Sequence, residues 1–143
     1  MSKALALVVA AALAASAWTQ GPAGDAKALD GKWTVASAEL SGEPLPKDAT
    51  KAMRLNVMGE KYQFTEVTTL DQGTIKIDAA KMPKAMDIIG TDGPNKGKTF
   101  LAIYDIQADT LRICYDLSGK ARPTEFATKK GAPLFLVTYQ RAK

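Results

Sequence analysis

The sequence contains no histidine. This absence excludes Ser-His-Asp and Cys-His catalytic sites, histidine general bases, and almost every zinc or copper site that depends on imidazole ligands. Carboxylates remain as acid–base groups at neutral pH, and Glu39 and Glu66 are candidates because each has the strand parity of a group of aromatic residues. We interpret both as carboxylates at a solvent-exposed rim, and we expect no catalytic residues, no metal and no cofactor.

Cysteine is nearly absent too, because Cys114 is the only one in the chain. A single cysteine cannot form an internal disulfide, so the stability of the domain must come from packing. Cys114 lies within an apolar run, which favours a buried, unreactive thiol.

Clustered charge is also missing. The 19 lysines and arginines are spread along the chain against 15 acidic residues, and Lys129-Lys130 is the only adjacent basic pair. Nucleic-acid binding requires basic residues gathered on one face with aromatic residues for stacking. We therefore predict a solvated surface and no nucleic-acid partner.

The first residues have the pattern of a secretory signal peptide. An apolar run from Ala4 to Ala15 follows Lys3 and ends in the small residues Ala15-Ser16-Ala17. The run is too short for a membrane span of ~20 residues. We expect cleavage after Ala17 (signal peptide 1–17), export to the periplasm or the medium, and no integral membrane segment afterwards.

After a segment expected to be flexible (residues 18–28), residues 29–143 form a single domain of alternating apolar and polar runs separated by turn-forming residues. This alternation is typical of all-β proteins, and closing the sheet on itself removes exposed edges. We predict an antiparallel up-and-down barrel, with a β-sandwich as the alternative. The predicted strands are Lys32–Leu40, Arg54–Met58, Lys61–Val67, Gly73–Asp78, Ala85–Ile89, Thr99–Ile106, Leu111–Asp116 and Leu134–Arg141.

The residues Gly31-Lys32-Trp33 at the start of the first strand resemble the G-x-W signature of lipocalins. The resemblance implies structural roles for Gly31, Trp33 and Arg141, because lipocalins place an arginine of the last strand over this tryptophan. Strand alternation agrees, since Phe135, Val137, Tyr139 and Arg141 share one face.

Several further blocks resemble, in the right order, the uncharacterised planctomycetal lipocalin-like domain family. The resemblance implies a lipocalin-like barrel in exported proteins, and it brings neither an assigned activity nor catalytic residues. The blocks are Gly31-Lys32-Trp33-Thr34-Val35, Glu43-Pro44-Leu45-Pro46, Thr91-Asp92-Gly93-Pro94, Ile113-Cys114-Tyr115 and Arg122-Pro123-Thr124-Glu125-Phe126.

Two functions remain open at this point. One is the binding of a small apolar or amphipathic molecule in the barrel mouth; the other is a solid structural or protein-interaction module of the cell envelope, whose partner the sequence does not name. A continuous apolar void of ~300 Å³ or more would favour the ligand, and voids smaller than a water molecule would favour the solid module. Arg122 is either a ligand contact or a local pair with Glu125. The candidate ligand-binding residues are Trp33, Tyr62, Phe64, Tyr104, Tyr115, Arg122 and Tyr139.

Overall fold

The computed structural model describes residues 22–143. The expected signal peptide, its cleavage site after Ala17 and the start of the expected flexible segment lie outside the described residues. Of the part that the structure describes, no helix is long and apolar enough to cross a bilayer.

Eight long antiparallel strands form a closed barrel in which neighbours along the chain are neighbours in the sheet, and the last strand pairs with the first. A two-residue strand, β2 (Glu43–Pro44), adds only to the end of β1. The predicted all-β up-and-down barrel is therefore confirmed, and the sandwich alternative is wrong. The barrel strands are β1 (Gly31–Leu40), β3 (Met53–Met58), β4 (Lys61–Glu66), β5 (Thr69–Asp78), β6 (Lys84–Asp92), β7 (Thr99–Gln107), β8 (Thr110–Asp116) and β9 (Leu134–Arg141).

A β-bulge in β1 changes which residues of that strand face the interior. The register with β9 shifts between Val35 and Ser37, and beyond this point Ala38 is buried in the core. Glu39 is therefore out of phase with Trp33, because one extra residue in a strand reverses the facing of those that follow. Its carboxylate instead accepts a hydrogen bond from the hydroxyl of Thr128. The predicted shared parity of Glu39 and Trp33 is thus wrong, whereas Glu66 lies exposed at the end of β4.

One end of the barrel, the capped end, is covered by helix α1 (Pro22–Leu29). The segment expected to be flexible is therefore helical over these residues, because Leu29 inserts into the core and its carbonyl oxygen accepts a 2.9 Å hydrogen bond from Trp33 Nε1. The guanidinium of Arg141 lies 4.3 Å from the centroid of the Trp33 ring and donates a 2.7 Å hydrogen bond to the Ala28 carbonyl. The predicted packing of arginine over tryptophan is confirmed.

Gly31 has a physical reason to lack a side chain. Its φ of 131° lies in the left-handed half of conformational space, and an added Cβ would approach Arg141 Nη1 to 3.0 Å. Glycine adopts such a conformation without steric cost. The backbone thus leaves room for the arginine that covers Trp33.

At the opposite end, the loop end, the connections include one four-residue helix, α2 (Lys47–Thr50), and the long segment 117–133 between β8 and β9. This segment, here called the strap, runs back along the outside of the barrel. Arg122 of the strap pairs with Asp87 at 2.7 Å and donates hydrogen bonds to the carbonyl oxygens of Met86 and Ala102. The arginine therefore joins the strap to β6 and β7, and its carboxylate partner is Asp87 rather than Glu125.

The strap also covers β8. The Cys114 thiol is buried beneath it, 3.7 Å from the carbonyl oxygen of Ala127, and the guanidinium of Arg112 lies 4.3 Å from the ring centroid of Phe126. Burial raises the pKa of Cys114, although the contact with Ala127 lowers it in part. Because only the thiolate is strongly nucleophilic, this position favours the unreactive thiol predicted from the sequence.

Candidate functional site

The barrel interior contains a cavity of about 130 Å³. It extends from Leu29 at the capped end to Leu117, an exposed residue at the loop end. Most of its wall is apolar because the inward positions of successive strands are aliphatic. These positions include Leu55, Val57, Ile75, Ile88, Leu111 and Ile113.

This volume falls between the two limits set by the sequence argument. It is below ~300 Å³, the lower end for drug-sized ligands, and well above the space for one water molecule. Apolar cavities of ~150 Å³ in other proteins stay dry and bind benzene or xenon. The interior is therefore neither solid nor wide, and a molecule of about the size of benzene matches it.

Four of the predicted ligand-binding residues come together in the cavity wall, namely Tyr62, Phe64, Tyr115 and Tyr139. The other three do not line it. Trp33 and Tyr104 are fully buried toward the capped end, and Arg122 is held in the strap on the outer side.

Tyr104 instead binds the helix at the capped end. Its hydroxyl donates a 2.8 Å hydrogen bond to Asp25 Oδ2 of α1, and Lys84 Nζ lies 2.9 Å from the same oxygen. Burial, followed by the hydrogen bond and the charge of Asp25, raises the pKa of Tyr104. The phenol thus remains a hydrogen-bond donor that attaches the helix to the barrel.

Two tyrosines in the cavity wall are hydrogen-bonded to each other. The hydroxyl oxygens of Tyr115 and Tyr139 lie 2.7 Å apart, so one hydroxyl donates to the other. Burial is the largest cause that raises the pKa of both phenols. Tyr115 also stacks on Phe135, with ring centroids 5.7 Å apart. This part of the wall is therefore neutral, aromatic and internally hydrogen-bonded.

A polar cluster interrupts the apolar wall toward the loop end, and we call Asp71, Tyr62 and Asn95 the Asp71 cluster. Asp71 Oδ2 accepts hydrogen bonds from the Tyr62 hydroxyl at 3.1 Å and from Asn95 Nδ2 at 3.0 Å. Asp71 Oδ1 is buried and has no hydrogen-bond partner among the described residues. Asp71 lines the cavity and is only 9% exposed, so a buried carboxylate with one unpaired oxygen belongs to the cavity wall.

The Tyr62 hydroxyl remains protonated well above neutral pH because its pKa is raised. Burial raises the pKa of this phenol most, and the charge and hydrogen bond of Asp71 raise it further. Tyr62 therefore acts as a donor to Asp71 rather than as an acid, and the arrangement favours binding over proton transfer.

Glycines allow the loop 93–98 between β6 and β7, here called the Asn95 loop, to reach β5. A Cβ on Gly90 would lie 2.0 Å from the carbonyl oxygen of Asn95, and a Cβ on Gly93 would lie 2.4 Å from the carbonyl oxygen of Leu70. The loop is closed by a 2.9 Å hydrogen bond from the Gly90 amide to the Lys98 carbonyl. These close approaches bring the Asn95 amide to Asp71.

Sequence reasoning missed Asp71 because it began the strand at Gly73. The strand begins at Thr69, and its register with β6 shifts at Gln72 and Gly73 because β6 has one extra residue, Thr91, so the alternation along β5 is unbroken. Asp71, Gly73 and Ile75 are buried and alternate with more exposed residues along β5. This alternation could have predicted that Asp71 faces the interior. Asn95 gave no comparable signal because it lies in a run of turn formers.

Within residues 22–143, no group of three or more cysteine, aspartate or glutamate side chains is placed to hold a metal ion. Comparison of the chain with models of protein families, with curated proteins and with solved structures found no match.

Proposed function

We propose that this protein binds a small apolar molecule, about the size of a substituted benzene, inside its barrel. The observation that carries the proposal is the cavity of about 130 Å³ with an apolar and aromatic wall. Concave, mostly apolar sites with few polar groups are typical of small-molecule binding, and barrel interiors are a common place for them.

The wider setting of this function rests on the sequence. The N-terminal pattern supports export to the periplasm or the medium, and the ordered blocks from Gly31 to Phe126 support a relationship to the planctomycetal lipocalin-like domains. The lack of histidine supports a role in binding rather than catalysis. We therefore propose an exported, non-catalytic binding protein related to these domains.

The experiment that tests binding is a titration of the protein with toluene, followed through backbone amide signals by NMR. We expect saturable shifts at β3, β5 and β8, with a dissociation constant on the order of 1 mM, which corresponds to ~4 kcal/mol. Benzene should give the same saturable shifts, whereas a probe much larger than the cavity should give none.

Two substitutions on one strand make the test specific. Val57 lines the cavity, whereas its neighbour Met58 points to the outside and is 51% exposed. Val57→Trp should fill the cavity and abolish binding, and Met58→Trp should leave it unchanged. Val57→Phe gives a milder filling if the tryptophan disturbs folding. Absence of saturable binding to the unsubstituted protein would overturn the proposal in favour of a structural or protein-interaction module.

A further inference from the structure

We propose that the cavity selects a small apolar amine, and that its protonated ammonium group binds Oδ1 of Asp71. This inference rests on the proposed function, since it names the head group of the molecule that the barrel would hold. It is carried by Asp71, a residue of the mostly apolar cavity wall that is 9% exposed and whose Oδ1 has no hydrogen-bond partner among the described residues.

Oδ1 of Asp71 lacks a hydrogen-bond donor. Buried polar atoms are almost always hydrogen-bonded, and leaving one unpaired is costly, more so for a charged group. Both donors of the cluster, Tyr62 and Asn95, reach Oδ2 only. Asp71 Oδ1 is thus the acceptor of the cluster that no side chain among the described residues uses.

The charge of the site favours a cation over a neutral donor. No lysine or arginine lines the cavity, and none of the ion pairs among residues 22–143 includes Asp71. A hydroxyl group could donate one hydrogen bond but would leave the carboxylate charge uncompensated, whereas an ammonium group supplies both. A carboxylate ligand would meet a like charge and is disfavoured.

The cluster is also built to hold the carboxylate in place. Two hydrogen bonds to Oδ2 fix the rotation of the Asp71 side chain, and the donors come from β4 and from the Asn95 loop. A fixed acceptor at one end of an apolar cavity orients a ligand that has one polar end and one apolar end. Benzylamine has this form and approximates the volume available.

The test compares benzylamine with benzyl alcohol and toluene at neutral pH, by the same NMR titration, on the protein and on Asp71→Asn. The amide oxygen can keep the two donors of the cluster while the charge is removed. We expect benzylamine to bind the unsubstituted protein about tenfold more tightly than benzyl alcohol. Asp71→Asn should weaken benzylamine by about tenfold and leave toluene within about twofold.

A matched control removes a carboxylate charge at the same end of the barrel. Glu66 is exposed at the end of β4, and Glu66→Gln should leave the affinity for all three probes unchanged. Equal losses in Glu66→Gln and Asp71→Asn would show a general charge effect and overturn the inference.

The outcomes separate the two proposals. Toluene binding with no preference for benzylamine, or with a preference that survives Asp71→Asn, would overturn the amine inference and leave the apolar binding function standing. Failure of all three probes to bind would overturn the proposed function itself. Selective loss of benzylamine binding in Asp71→Asn supports both.

Discussion

The buried carboxylates at the two ends of the barrel differ in their partners. At the capped end, Asp25 of α1 lies 2.9 Å from the Lys84 ammonium and accepts a hydrogen bond from Tyr104. Toward the loop end, Asp71 also has a tyrosine donor, but its second donor is the neutral Asn95 and its Oδ1 is unpaired. The first arrangement closes the barrel, and the second leaves one strong acceptor beside a cavity.

The largest effect should come from the capped end. Trp33 is fully buried and fixed by Leu29 and Arg141. Trp33→Ala should lower the free energy of unfolding by ~3–5 kcal/mol, because it removes a large aromatic from a core without a disulfide. Urea unfolding measures the change, with Met82→Ala, at a 96% exposed side chain, as the control. A loss below ~1 kcal/mol would show that this end does not hold the barrel closed.

A double-mutant cycle examines the same contact more finely. Trp33→Ala and Arg141→Ala should be coupled by at least ~0.5 kcal/mol, as expected for a cation over an aromatic ring. Additive losses would mean that the 4.3 Å contact contributes nothing to stability beyond the two separate side chains.

Alkaline pH should destabilise both ends of the barrel together, because burial raises the pKa of all four tyrosines. The folded state therefore favours the neutral phenols, whereas in the unfolded chain they ionise near pH ~10. Their contribution to stability is complete below that pH and is lost progressively above it. We expect phenolate absorbance to rise together with cooperative unfolding. Ionisation of any tyrosine near its ordinary pKa in the folded protein would contradict the burial described here.

The Asn95 loop offers the next effect in size. Gly90→Ala should cost ~1–3 kcal/mol, since its Cβ would collide with the backbone of Asn95. The amide signals of the loop and of Asp71 should shift while those of α1 stay in place. Gly24→Ala is the matched control, because a Cβ there meets no atom within 4 Å. Equal effects of the two substitutions would show that the close approach at Gly90 does not position the loop.

The features of the fold and the site that could be predicted from the sequence are those that a pattern within one short segment signals. Strand alternation and the closure of exposed edges predicted the barrel, and the resemblance of Gly31-Lys32-Trp33 to lipocalins led to Arg141 as the partner of Trp33. The alternation failed where a bulge reversed the facing of Glu39, because a bulge is set by backbone geometry rather than by composition. Asn95 and Asp71, 24 residues apart, meet through a loop packed on Gly90, which no local pattern signals.

The smallest effect concerns the β4–β5 turn at the loop end. Val67 is 80% exposed and has a φ of 54°, a conformation that is strained for a β-branched residue. Val67→Gly should raise the free energy of unfolding by ~1 kcal/mol by removing this strain. Thr68→Gly in the same turn is the control and should give no gain. A loss of stability in Val67→Gly would mean that the valine side chain makes a contact that outweighs its backbone strain.

The most direct test of the central claim, that the barrel interior receives a small apolar guest, is a crystal structure of the protein under xenon pressure. Xenon binds dry apolar cavities of this size and requires no polar contact. We predict a xenon peak between the inward side chains of Ile75, Leu111 and Ile113, and no such peak in Val57→Trp. A fully packed interior without xenon in the unsubstituted protein would contradict the claim.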